Sequence, residues 1–281
     1  MAILNDTVYV QFAFKNTSGE ICVNGIPVWS VPEDLGATDQ TIPINGFMVA
    51  GSNQVDMVLD IEGTPSTCRT PRKAKPKAGA WARMRVIKMP AGRGAQAPSP
   101  STGSLLLERE WNGDKEQSED VPRFVSGMFD SPGFGRWSYL GSKKLDLNVQ
   151  TIEEVRVVAE AIRSALRAGD TRALLQIIEI NFKELGQSVG ATDDSADVAQ
   201  LEAWIQQFKS HPDRVLPLDP SRWDFRIVGS GQLLMALNKD WSHIIQMKQP
   251  ATDQHGNKVG DAIIRYPIIL ARIGDALRVV R

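Results

Sequence analysis

Three side chains near the C-terminal end of the chain could move a proton: Asp224, His243 and Tyr266. His243 stands between Trp241 and Ile245 in a strand-like run. A free imidazole titrates near neutrality, which suits a general base. Asp224 and Tyr266 offer a second pairing, in which a carboxylate removes a proton and a phenol holds the resulting enolate. Alternation, however, sets Asp224 opposite Trp223, Phe225 and Ile227. With those three in a core, Asp224 faces solvent. A histidine among apolar neighbours is also commonly structural. The expected catalytic set is therefore none, with Asp224, His243 and Tyr266 as the alternative.

Other chemistries lack their signatures. There is no Gly-x-Ser-x-Gly, no Gly-x-x-x-x-Gly-Lys, no Cys-x-x-Cys and no His-Glu-x-x-His. Three histidines are too few for a multi-histidine metal centre. Cys22 and Cys68 stand alone and fit neither a zinc site nor a disulfide framework. They read as reduced thiols of a cytoplasmic protein. No metal and no cofactor are expected.

Binding residues are easier to nominate. Residues 1–65 carry eight acids and one base, Lys15, whereas residues 66–93 carry nine bases and no acid. Arg69, Arg72 and Lys73 open this basic run and Trp81 lies within it. Basic side chains beside an aromatic could line a nucleic-acid groove. Because the compensating acids lie in the same half, a loop docked on the acidic strands is the preferred reading, and nucleic acid is not expected as a partner. Asp193, Asp194 and Asp197 stand at the entry to a helix, with Glu202 further along it. Acids there complement the partial positive charge of exposed N–H groups, and they could also form a patch for a basic partner surface such as the substrate groove of a nuclease. Phe134 and Trp137 lie in Gly-rich irregular chain, where aromatics serve either as binding anchors or as packing plugs.

These residues need elements to hold them. At 281 residues the chain suffices for two domains. Its apolar share of 42%, charged share of 23% and net charge of −1 are those of an ordinary globular protein, with no global field for nucleic acid or membrane. No apolar run reaches the length of a membrane span, and the N-terminus lacks the basic and apolar regions of a signal peptide.

Val8, Val10, Phe12 and Phe14 alternate as a strand. Asn24-Gly25 and Asn45-Gly46 both read as hairpin turns. Val55, Met57 and Leu59 continue the alternation, Trp81, Met84 and Ile87 suggest another strand, and Leu105–Trp111 a further one. Repeated short strands predict an antiparallel β-sandwich over residues 1–146. The stretch VNGIPVW with IPINGFMVAGSNQVDMVLDI resembles accessory jelly-roll modules over about 50 residues.

From residue 147 the pattern changes. Thr151 and Glu154 form a capping box, and Ile152, Val155, Ala159, Ile162 and Leu166 recur at helical spacing. Gly169 ends that helix, and Asp170 caps the next, which carries Leu174, Ile177, Ile178 and Phe182 and stops at Gly186. Leu201, Trp204, Ile205 and Phe208 mark a third helix. Strands follow at Trp223–Ile227, Leu233–Leu237 and His243–Lys248, with a long one over Ala262–Ile273 and a last one over Leu277–Val280. This predicts an α+β domain over 147–281 with three helices and a curved antiparallel sheet. The helices, followed by YPIILARIGDALRVV, resemble the NTF2-like superfamily of cone-shaped domains. That resemblance implies an internal pocket, and cones of this kind can pair as homodimers through the open face of their sheet.

An α+β chain of two domains without a catalytic set is expected to bind protein. The concrete expectation is a bacterial immunity-type protein that neutralises a toxin, such as a nuclease, by direct contact. The alternatives are a small-molecule receptor or isomerase-like enzyme using the cone pocket, and a carbohydrate-binding sandwich that would need Trp29 and Trp81 on one face.

Overall fold

Alternation in the first half is realised as strands. In the computed structural model, which describes residues 6–31, 37–90, 97–115, 119–131, 137–188, 195–252 and 258–281, β1 (Thr7–Lys15) buries Val8, Val10, Phe12 and Phe14. It lies between β4 (Ala37–Pro43) and β7 (Trp81–Met89), and β7 pairs onward with β8 (Ser104–Asn112). The second sheet has the order β10 (Arg123–Ser131), β5 (Gly51–Leu59), β2 (Gly19–Val23), β3 (Ile26–Val31). A short ribbon joins β6 (Arg72–Ala74) to β9 (Glu119–Val121). All these pairings are antiparallel. Phe12, Ile21, Met57 and Met84, from both four-stranded sheets, share one core, so this unit is a β-sandwich.

The two Asn-Gly pairs behave differently. Asn24 and Gly25 both take positive φ (51° and 75°) and close the β2–β3 hairpin as a two-residue turn requires. Asn45-Gly46 is a single 3-10 turn between strands of different sheets. Asn45 is buried there, and its Oδ1 accepts from Val8 N at 2.7 Å, so its side chain replaces a missing ladder bond instead of turning a hairpin.

The chain forms two compact units, Met1–Trp137 with Glu184–Ala191 and Ser138–Lys183 with Thr192–Arg281. In the second, Leu145 N donates to Gly231 O at 2.8 Å and Gln232 Nε2 donates to Leu140 O and Ser142 O, both at 3.0 Å. Helix α1 (Val149–Ala168) starts at Asn148, whose Oδ1 accepts from Thr151 N at 2.9 Å. The cap is thus Asn148 and not Thr151. The Thr151 hydroxyl instead donates to Asp146 O, and Glu154 reaches Arg272 at 2.9 Å. Gly169, at φ 65°, ends α1 in the left-handed region, and a Cβ there would stand 2.6 Å from Lys209 Cβ. Asp170 Oδ1 accepts from Ala173 N at 2.9 Å and caps α2 (Thr171–Ser188). That helix continues through Gly186 for two residues. Helix α3 (Ser195–Lys209) presents Ile205 and Phe208 to the core.

The remaining strands are β11 (Trp223–Val228), β12 (Leu233–Asn238), β13 (Ile245–Thr252), β14 (Lys258–Tyr266), β15 (Ile269–Ile273) and β16 (Ala276–Val279). One sheet runs β11-β12-β15-β16, and β13 and β14 form a separate ribbon. The apolar run over Ala262–Ile273 is two strands, not one. Pro267 offers no N–H to a ladder, so the chain breaks there and changes sheet. No described helix is long and apolar enough to cross a membrane.

Candidate functional site

The proton-transfer candidates sit on the sheet of the second unit. Asp224 lies opposite Leu237, and Leu237 in turn bridges to His243. The two residues therefore fall in one row, their backbones about 10 Å apart at two strand spacings, with buried Leu237 between them. Asp224 Oδ1 accepts from the N–H of the next residue, Phe225, at 3.1 Å. Tyr266 pairs with Ile245, beyond a bend where Ile244 and Ile245 are both buried.

The expected alternation of β11 holds only at its start. Trp223 is buried, but Arg226 and Val228 replace Ile227 further on, because this edge strand is covered on different faces at its two ends.

Burial and the nearby Arg265 guanidinium push the His243 pKa down to about 4, so its imidazole is neutral at pH 7. Burial pushes Tyr266 up to about 12, so it stays a phenol. A base of that strength is poorly matched to proton transfer near neutrality. The interior face carries Trp223, Leu234, Ile245, Met247, Leu270 and Val279 in one packed cluster. Among the described residues, no three of His, Cys, Asp and Glu gather as a metal centre requires.

A concavity of this unit lies elsewhere. Helices α1 and α2 and strand β16 enclose a groove of about 590 Å³. Val157, Ala161, Ser164 and Ala168 line it from α1 at helical spacing, and Asp170, Ala173, Gln176 and Ile177 line it from α2. Leu277, Arg278 and Val279 contribute from β16, an edge strand of its sheet. Small side chains on α1 leave the space, and Val157 stands 60% exposed at its side. None of Asp224, His243 and Tyr266 borders it. Sequence reasoning missed this groove. Its signal was the recurrence of Ala161, Ser164 and Ala168 on one stripe of α1, which carries no chemical mark.

In the first unit the nominated bases Arg69, Arg72 and Lys73 are paired with carboxylates. Arg69 Nη2 lies 2.8 Å from an oxygen of Glu20, which is fully buried, and Ser30 Oγ donates to the other oxygen at 3.0 Å. The same guanidinium donates to Cys22 Sγ and lies 5.5 Å from the Phe124 ring centre. Arg72 meets Asp60 at 3.3 Å and Glu62 at 2.8 Å, and Lys73 meets Asp120 at 2.6 Å. Trp81 Nε1 donates to Glu110 at 2.8 Å, with Arg83 5.3 Å over its ring. Trp29 and Trp81 belong to different sheets of the sandwich.

Trp137 is buried and its indole N–H donates to Met48 O, so it is a packing plug and not an exposed anchor. Asp197 and Glu202 are exposed on α3, Asp197 in its first turn. Asp193, Asp194 and Phe134 lie outside the described residues.

No protein-family model matches the chain, and no curated protein matches it. One solved structure, described as an "Ntf2 like protein involved in plasmid conjugation", aligns over 84% of this chain and 73% of that one, at 12% identity and a TM-score of 0.21. An alignment that loose carries no argument about fold or function.

Proposed function

We propose that the chain is a non-catalytic protein-binding module whose second unit, an NTF2-like cone in this reading, receives an apolar segment of a partner in the groove of α1, α2 and β16. One observation carries this: the groove is walled by alanines and exposed Val157, while Asp224, His243 and Tyr266 lie away from it and burial holds His243 and Tyr266 neutral. An amphipathic helix laid in such a groove is a common recognition mode. Arg278 and Asp170 on its walls select the charges that flank the partner's apolar stripe. Asp197 and Glu202 on α3 offer a further acidic contact. In its most concrete form the partner is a toxin that this protein neutralises. The test is capture of a stoichiometric partner by the tagged protein, compared with Ala161→Arg. Both proteins should fold, and only the parent should retain the partner. Equal retention would reject the groove.

A second reading has one observation in its favour. A volume of about 590 Å³ falls within the range of small-molecule sites. It predicts a co-purifying small molecule, visible by native mass spectrometry and lost in Ala161→Arg.

A further inference from the structure

Among the described residues, strand β14 has a strand partner on one edge only. It pairs with β13, and Asp261, Ala262, Ile263 and Arg265 are all exposed. An exposed strand edge presents a row of N–H and C=O groups that another strand can pair with.

The ladder with β13 runs in regular register from Gly260 to Tyr266 and is interrupted beyond Gly260 by a bulge at Ala251 and Thr252. The regular run is therefore Gly260–Tyr266, and its midpoint is Ile263. In an antiparallel pair of identical strands related by a twofold axis, the residue numbers placed opposite each other have a constant sum. Outward-pointing backbone groups alternate along a strand, so that sum must be even for them to meet.

Aligning the regular run with itself places Ile263 on the axis. Asp261 then lies opposite the partner's Arg265, and the reverse pair forms on the other side. Ala262 faces Ile264, and Gly260 faces Tyr266. Shifting the register by one even step either way loses both Asp–Arg pairs. The registers centred on Asp261 or Arg265 set like charges together. Ile263, 45% exposed, would be covered at the centre.

We infer that β14 is a self-complementary edge through which two copies of this chain join their β13–β14 ribbons into one four-stranded antiparallel sheet. Main-chain bonds supply the attraction, and the two Asp261–Arg265 pairs fix the register. This inference is independent of the groove.

Sedimentation velocity over a dilution series, on the full chain, tests it. The wild-type protein should form a dimer that dissociates on dilution. Asp261→Arg and Arg265→Asp should each weaken it about tenfold, because each sets like charges opposite one another twice. The double variant carrying both changes should recover the wild-type constant. Ile263→Cys should link to its own copy through a short bifunctional maleimide, while the wild-type protein, whose Cys22 and Cys68 are buried, should not. A monomer at every concentration overturns the inference. So does a dimer that both single reversals leave intact and that Ile263→Cys fails to link.

Discussion

The basic strands of the first unit and the groove of the second are built from opposite materials. In the first, conspicuous side chains are committed internally: Arg69 to buried Glu20, Arg72 to Asp60 and Glu62, Arg85 to Glu108. In the second, His243 and Tyr266 are shut away in neutral form, and the α1 wall of the open groove is left to Ala161, Ser164, Ala168 and Val157. Residues that look functional in a sequence are often those that folding already uses. A binding surface can be made of side chains with no chemistry beyond their size.

The largest expected effect would break the first half of that comparison. Arg69→Ala leaves the Glu20 carboxylate buried without its cation. Urea denaturation should show a loss of roughly 3–4 kcal/mol. A loss below about 1 kcal/mol would mean that the basic loop is merely solvated.

Next is the pH dependence of the second unit. The folded pKa of His243 lies near 4, below its ordinary value of 6.5. As pH falls below 6.5 the unfolded chain takes up a proton that the folded chain refuses. Stability is therefore full above 6.5 and declines down to about pH 4, by on the order of 3 kcal/mol. His243→Gln should flatten that slope. An unchanged slope would show that the imidazole is not held neutral.

Smaller effects sharpen the contrast. Gly169→Ala forces a Cβ into the left-handed corner that joins the two helical walls of the groove and against Lys209. It should cost about 1–2 kcal/mol, read as a lower Tm. Arg85→Ala breaks a partly exposed pair and should change stability by less than about 1 kcal/mol. A cost as large as that of Arg69→Ala would erase the distinction between buried and surface pairs in this unit.

Much of the fold was legible because local signals agreed with tertiary ones. Alternation in β1, the Asn24-Gly25 turn and the Gly169-Asp170 corner each rest on backbone chemistry that context did not override. Legibility failed where a side chain or a neighbour decided. Asn45-Gly46 has the composition of a hairpin turn, but the Asn45 amide bonds to β1 instead. Thr151 and Glu154 have cap spacing, yet Asn148 lies three residues earlier and takes the role. Strand β10 escaped notice because Phe124 and Met128 are exposed on its outer face while Phe129 is buried, so its polarity does not alternate. Of the nominated site residues, Trp137 turned out to be buried. The groove was unreadable because alanine spacing on a helix looks the same whether that face is covered or open.

The most direct measurement of the central claim is capture from native lysate by the tagged protein, its Ala161→Arg variant and its Lys73→Glu variant, at low and moderate salt. The account predicts one stoichiometric partner, kept by the parent and by Lys73→Glu at both salts and lost by Ala161→Arg. Retention by Ala161→Arg with loss in Lys73→Glu would contradict it and move the interface to the basic strands of the first unit.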